Sequence, residues 1–303
     1  MLAENETRLA EDYELHFTEK SDDRDALIER LGGDVAAMVT EGPRDVDRAM
    51  MDKLPKLALI CCQSVGVDAI DLDVAKEKNI LVTNGRGANA PSVADHAFAL
   101  MLGVFRQVVV NDRLMRKHRA EEHQFRDNTW TAHGKRLGIL GLGAVGMEIA
   151  KRAEAFDMEI FYHSRGRRDD VAYAYCGDIG ELGRAVEILS ISAPGGAATK
   201  GLVDRSVIAS LGPKGVVVNV GRGSILDTAA LVDALETGRL AGAGLDTIDG
   251  DDAIRERLCR LDNVILTPHV AGSTFEADAR KSALTRNVLS DFFAGREVQN
   301  RVV

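Results

Sequence analysis

The stretch Leu137-Gly138-Ile139-Leu140-Gly141-Leu142-Gly143-Ala144-Val145-Gly146 sets a G-x-G-x-x-G loop directly after a short apolar run, and a helical pattern follows it. In that strand–turn–helix setting each glycine has a physical task. Gly141 permits the tight turn, Gly143 lets the backbone approach a pyrophosphate, and Gly146 lets helix and sheet pack closely. The helix that begins there offers free N–H groups and the positive end of its dipole to an anion. The whole loop, Gly141, Leu142, Gly143, Ala144, Val145 and Gly146, is therefore expected to bind a dinucleotide.

The end of the next strand selects which one. An acidic residue about 20 positions on would hold the ribose 2′-hydroxyl of NAD. Here the strand runs out as Phe161-Tyr162-His163-Ser164-Arg165-Gly166-Arg167-Arg168, with no carboxylate at its end. His163, Ser164 and Arg165 stand in its place. A guanidinium can give two hydrogen bonds to a phosphate, so NADP(H) is expected in preference to NAD(H), with NAD(H) still possible. The acidic pair Asp169-Asp170 is placed in the following loop.

Outward from this loop, short apolar runs alternate with longer helical patterns. Strands are expected at Val35–Val39, Leu57–Cys62, Ile80–Thr83, Leu137–Leu140, Glu159–Tyr162, Ile188–Ser192, Val216–Val220, Gly242–Leu245 and Val264–Leu266. Their near-continuous apolar character suits strands covered on both faces. Helices are expected at Gly146–Phe156, Thr228–Glu236, about Ser92–Val109 and Ala277–Ala294. Repeated strand–helix alternation predicts an α/β protein of two doubly wound parallel-sheet domains. The loop Asn84–Pro91 marks a crossing. It gives a domain of residues 1–90 plus 275–303 and a dinucleotide-binding Rossmann domain over 91–274.

Composition agrees with that division. A chain of 303 residues suggests two domains at about 150 residues each. A net charge of −9 repels phosphate backbones and argues against general nucleic-acid binding. The N-terminus is acidic and lacks the apolar segment of a signal peptide. The longest apolar stretch, Ala97–Phe105, falls far short of the roughly 20 residues that span a bilayer. Cys61, Cys62, Cys176 and Cys259 have no metal-ligand spacing. They read as reduced thiols of a cytoplasmic protein without a metal site. The charged run Arg113–Arg126, with His118 and His123, reads as a solvated helix face.

Three more segments are Val218-Asn219-Val220-Gly221-Arg222-Gly223, Ala243-Gly244-Leu245-Asp246 and Leu266-Thr267-Pro268-His269-Val270-Ala271-Gly272. With Ser64-Val65-Gly66-Val67-Asp68 and Pro91-Ser92-Val93-Ala94-Asp95-His96, they make the chain resemble the D-isomer-specific 2-hydroxyacid dehydrogenases from about residue 9 onward. The Tyr162-His163-Ser164-Arg165 run brings it nearest the NADPH-dependent glyoxylate/hydroxypyruvate reductases and the related hydroxyphenylpyruvate reductases. The resemblance implies a Rossmann cofactor domain with a smaller flavodoxin-like substrate domain. It also implies a homodimer, with the region around Trp130 in an arm used for dimerisation.

The chemistry can be argued from the residues as well. Reducing a 2-oxo acid needs a cation to hold the carboxylate and polarise the ketone, and Arg222, at a strand's C-terminal end, is always charged. It also needs a proton donor suited to neutral pH, and His269 follows the strand Val264–Leu266, where open α/β sheets bind ligands. By resemblance Arg222 binds substrate, His269 is the acid/base, and the backbone of Val65-Gly66 holds the substrate carboxylate. The resemblance also places Asp246 near the nicotinamide end and makes Ala193, Pro194 and Thr199 a cofactor-contact loop, with Val220, Gly221, Ala271 and Gly272 expected to complete the cofactor set. His96 is read as packing or capping.

Two departures stand out. The family's glutamate that pairs with the histidine falls on Asp251, one methylene shorter, with Asp249 and Asp252 as substitutes. Members also usually open with a strand, whereas this chain begins almost at a helix near Leu9. The expected activity is NADPH-dependent reduction of glyoxylate or hydroxypyruvate to a D-2-hydroxy acid. The alternatives are a phosphoglycerate, formate or phosphite dehydrogenase of the same fold, or a corepressor-like protein that senses dinucleotide.

Overall fold

The computed structural model describes residues 3–41, 45–118 and 129–303. His123 and much of the charged run therefore lie outside the described residues, as does the side chain of His118. The chain divides into a first unit, Met1–Asn89 with Ser273–Val303, and a second unit, Ala90–Gly272.

The first unit opens with α1 (Ala3–Asp12) and α2 (Arg24–Leu31). It continues through β1 (Ala37–Thr40), α3 (Arg48–Asp52), β2 (Leu59–Cys62), α4 (Leu72–Glu77) and β3 (Leu81–Thr83). Its three strands are parallel, in the order β1-β2-β3. Asp23, Asp47 and Asp71 each precede a helix and accept a hydrogen bond from an N–H in its first turn. That satisfies donors the helix itself cannot, and so fixes where each helix begins. Ile60, Cys62 and Val82 pack with Met51, Leu57 and Val74. The chain's last residues pair with β3, Val302 N–H donating to the Val82 carbonyl at 2.7 Å and Arg301 bridging Thr83 in antiparallel sense. The β3 edge of the sheet is thereby covered.

The second unit begins with α5 (Ala90–Phe105) and α6 (Val108–His118). One helix was expected to about Val109. Instead the two are bent by 62°, with Gln107 between them in the left-handed region at φ 50°. No glycine or proline marks that break. Next come β4 (Arg136–Leu140), α7 (Ala144–Glu154), β5 (Glu159–His163), β6 (Ala174–Tyr175), α8 (Ile179–Ala185), β7 (Ile188–Ile191) and α9 (Arg205–Ser210). The unit closes with β8 (Val216–Asn219), α10 (Thr228–Glu236), β9 (Gly242–Leu245), α11 (Asp252–Cys259) and β10 (Val264–Leu266). A last helix, α12 (Phe275–Phe293), belongs to the first unit.

The seven strands of the second unit are all parallel, in the order β10-β9-β8-β7-β4-β5-β6. Strand order reverses between β4 and β7, the doubly wound arrangement in which ligands meet the carboxyl ends of the strands at the reversal. One face is covered by a core that includes Leu182, Leu189, Leu231 and Leu245. The other is covered by α5 and α7, with Phe98, Met101, Ile139, Ile149 and Tyr162. β7, β8 and β9 are buried at every position, as their unbroken apolar runs predict. Among the described residues no single helix is long and apolar enough to cross a membrane.

Candidate active site

The second-unit residues singled out in the sequence lie just beyond the carboxyl ends of its parallel strands, along one edge of the sheet. After β4 the chain turns at Gly141, whose φ is +94° and whose N–H donates to the His163 carbonyl at 2.8 Å. A side chain there would be strained by φ, and its Cβ would stand 2.7 Å from Ala193 Cα. A Cβ at Gly146 would stand 2.2 Å from the Gly141 carbonyl oxygen, so strand and helix touch there. Gly143 differs: nothing lies within 4 Å of a Cβ placed on it. It is the N-cap of α7 and offers no capping side chain, so the first-turn N–H groups of Ala144, Val145 and Gly146 find no acceptor among the described residues. A dinucleotide's pyrophosphate fits such a cradle.

The arginines after β5 divide into two kinds. Arg168 is committed. Its guanidinium pairs with Asp170 and donates to the Leu142 carbonyl at 2.9 Å, and its N–H donates to the Tyr162 hydroxyl at 2.8 Å. It buttresses the glycine loop from outside, and the hydrogen bond to Asp170 raises its already high pKa. Arg165 is exposed and makes no ion pair among the described residues. His163 makes a 2.9 Å Nδ1 contact with the Cys176 carbonyl and stacks on Tyr175. Ser164 Oγ donates to the Gly166 carbonyl at 2.7 Å.

Beyond β7, Thr199 Oγ1 donates to the Pro194 carbonyl at 2.8 Å and closes the loop that starts at Ala193. Gly195 in this loop lies against the stem of Arg222. Arg222 is half-buried, donates to the Gly221 carbonyl at 3.0 Å, and has no carboxylate partner among the described residues. Its backbone is held by Asn219, a buried residue the motif reading did not single out. Asn219 Nδ2 donates to the Arg222 carbonyl at 3.1 Å, and its Oδ1 accepts the Gly221 N–H at 3.0 Å. Val220 is buried beside them.

At the end of β9, Asp246 is 2% exposed. Its Oδ1 accepts from Thr267 Oγ1 at 2.6 Å and from the Val270 N–H at 2.9 Å, and its Oδ2 accepts from the Ala271 N–H at 3.0 Å. Its carbonyl accepts the His269 N–H at 2.9 Å. Asp246 therefore clamps the loop from His269 to Ala271, with Gly272 directly after it. His269 itself has φ +56°, a left-handed conformation that costs a non-glycine residue free energy and collects at functional sites. Its imidazole is exposed and makes no ion pair among the described residues.

Asp251, expected as the partner of His269, is engaged elsewhere. Its carboxylate is the N-cap of α11 and accepts the Ile254 N–H at 2.9 Å. A first-turn amide, not an imidazole, holds that oxygen. Conversely, His96 on α5 makes a polar link that sequence reasoning missed, its Nε2 lying 2.9 Å from Thr267 Oγ1 and 3.5 Å from Asp246 Oδ1. The two histidine-loop partners are 171 residues apart in sequence, so no local signal marks them.

In the first unit, the Ser64-Val65-Gly66 loop follows β2. The Val65 carbonyl accepts from Asn84 Nδ2 at 2.9 Å and the Gly66 carbonyl from Ser64 Oγ at 2.6 Å. The N–H groups of Val65 and Gly66 find no acceptor among the described residues. A short run of N–H groups with its carbonyls already satisfied suits an anionic oxygen.

Comparison with known proteins follows the same lines. Residues 98–271 match the family model described as D-isomer specific 2-hydroxyacid dehydrogenase, NAD binding domain. The chain is 38% identical over 283 residues to a glyoxylate/hydroxypyruvate reductase A of Arabidopsis thaliana, covering 93% of this chain and 90% of that one. It is 38% identical over 269 residues to a hydroxyphenylpyruvate reductase of Plectranthus scutellarioides, covering 89% and 86%. The crystal structure of an NADPH-dependent glyoxylate/hydroxypyruvate reductase from Sinorhizobium meliloti, in complex with NADP and malonate, superposes with a TM-score of 0.86 at 32% identity. That match covers all of this chain and 94% of the other.

Proposed function

The chain belongs to the D-isomer specific 2-hydroxyacid dehydrogenase family, and we propose that it reduces small 2-oxo acids, glyoxylate and hydroxypyruvate foremost, to D-2-hydroxy acids with NADPH. The observation that carries this reading is Arg222, a half-buried guanidinium with no carboxylate partner among the described residues. A cation left without a counter-ion beside a dinucleotide cradle suits an anionic substrate with a ketone to polarise.

Each residue then has one task. The first-turn N–H groups of α7 hold the pyrophosphate. Arg165, with Ser164 and His163, holds the 2′-phosphate, and the Ala193–Thr199 loop, Val220, Gly221, Ala271 and Gly272 wall the cofactor. When bound, the nicotinamide supplies the hydride for the keto carbon. Arg222 binds the substrate and draws charge toward the carbonyl oxygen. His269 delivers a proton to that oxygen as it becomes a hydroxyl, and recovers one from solvent. In the first unit the free N–H groups of Val65 and Gly66 are the assigned carboxylate donors. The S. meliloti protein bound NADP alongside a small dicarboxylate, which supports both the cofactor and the substrate class.

A second reading is a dinucleotide sensor without turnover. It is favoured by one observation, the absence of an acidic partner for His269 among the described residues. Loss of NADPH absorbance with glyoxylate or hydroxypyruvate decides: turnover supports the reductase, and tight NADPH binding with no turnover across a panel of 2-oxo acids supports the sensor. We assign the exposed apolar side chains Val108, Val109, Met115 and Trp130 to the interface of a homodimer, which light scattering of the purified protein tests.

A further inference from the structure

We propose that His96 is a positioning residue for His269, acting on it through Thr267 and Asp246. The inference rests on the reading of His269 as the proton donor. Four hydrogen-bonding groups form one chain in the second unit. Thr267 Oγ1 donates to Asp246 Oδ1 at 2.6 Å, and the single hydroxyl proton is thereby used. The 2.9 Å contact between His96 Nε2 and the same oxygen must then carry its hydrogen on the imidazole, which fixes the ring as the donor at Nε2. The Asp246 carboxylate in turn receives the N–H groups of Val270 and Ala271, and its carbonyl receives that of His269.

The physical consequence concerns a strained residue. His269 sits at φ +56°, a conformation that persists only where its surroundings over-determine it. Three consecutive amides, His269, Val270 and Ala271, are tied to the one residue Asp246, whose side chain is 1% exposed. A buried carboxylate can point its oxygens at the Val270 and Ala271 amides, which directly follow His269, only while its own orientation is fixed. Thr267 fixes it directly, and His96 fixes the Thr267 rotamer from α5. The neighbouring carboxylate on α5, Asp95, is turned away to Arg152 at 2.7 Å, whereas His96 reaches the loop through Thr267. Removing its N–H frees the threonine to rotate, loosens Asp246, and lets the His269 backbone relax toward ordinary φ, which moves the imidazole.

The experiment compares His96→Leu, which removes the donor, with His96→Gln, whose side-chain amide nitrogen can occupy the Nε2 position. In the intact protein, kcat and KM for hydroxypyruvate, the NADPH dissociation constant, and the exchange of the Val270 and Ala271 amides are measured. The expected result for His96→Leu is a fall in kcat of about tenfold or more, with KM and NADPH affinity within about twofold, and faster exchange at both amides. His96→Gln should recover most of kcat and the slow exchange. Wild-type kcat in His96→Leu, a His96→Gln enzyme as poor as His96→Leu, or unchanged amide exchange would each overturn the proposal. Should His96→Leu fail to fold, Thr267→Val breaks the same chain from its middle, and wild-type kcat in that variant is equally fatal. If the wild-type protein reduces no 2-oxo acid, the functional reading fails by itself, and amide exchange in the two His96 variants still decides the positioning role.

Discussion

A Cβ at Gly195 would stand 2.9 Å from Cγ of Arg222, so the guanidinium stem passes over a residue that has no side chain to obstruct it. Cγ is in the middle of that stem and not at its free end. It cannot step aside without carrying the charged group with it. Gly195→Val is therefore expected to raise KM for hydroxypyruvate severalfold at saturating NADPH. Equal KM in variant and wild type would show that Arg222 does not bind the substrate from this position.

The glycine loop separates two effects that a single substitution would confound. Gly146→Ala forces a methyl to within 2.2 Å of a backbone carbonyl and must push α7 off β4. Overpacking of this kind costs about 1–3 kcal/mol, seen as a lower unfolding temperature together with weaker NADPH binding. Gly143→Ala meets nothing within 4 Å, so the unfolding temperature should hold while NADPH binding weakens. Fluorescence titration and thermal unfolding of both variants check the contrast.

Cofactor choice is assigned to Arg165 and not to Arg168. Arg165→Ala should bring NADPH and NADH toward equal kcat/KM, a loss of about tenfold or more in the preference ratio. Arg168→Ala removes the brace on the Leu142 carbonyl and should weaken both cofactors alike. If Arg168→Ala alone erased the preference, the assignment would be reversed.

Asp251 is expected to matter for stability only. Asp251→Ala removes the N-cap of α11, worth about 1 kcal/mol, and should lower the unfolding temperature by about 2–4 °C. The acidic limb of the kcat/KM profile should not move. A shifted limb would restore to Asp251 the role of partner to His269.

What the sequence makes legible follows from the range of the forces involved. β7, β8 and β9 are buried at all positions, so continuous apolar runs reveal them, and the glycine loop is readable because its three glycines fall within six residues. β6 is two residues long, too short for any periodicity. The break between α5 and α6 turns on the left-handed Gln107, a residue with no special backbone freedom to betray it. Asp251 carries a legible cap signal, an aspartate directly before a helical pattern, and it caps α11. The His96–Thr267 contact spans the whole second unit in sequence, and only the fold joins its ends.

We assign to Arg222 and His269 the chemistry on a substrate delivered to an NADPH-loaded site. The most direct test of that assignment is steady-state reduction of hydroxypyruvate and glyoxylate by the wild type, His269→Ala and Arg222→Ala, with NADPH affinity measured on each. Expected are turnover by the wild type, a loss of about 100-fold or more in kcat for His269→Ala, and a comparable loss in kcat/KM for Arg222→Ala, with NADPH bound by all three to within about threefold. Wild-type kcat in His269→Ala, or tight NADPH binding with no turnover by the wild type, would contradict it.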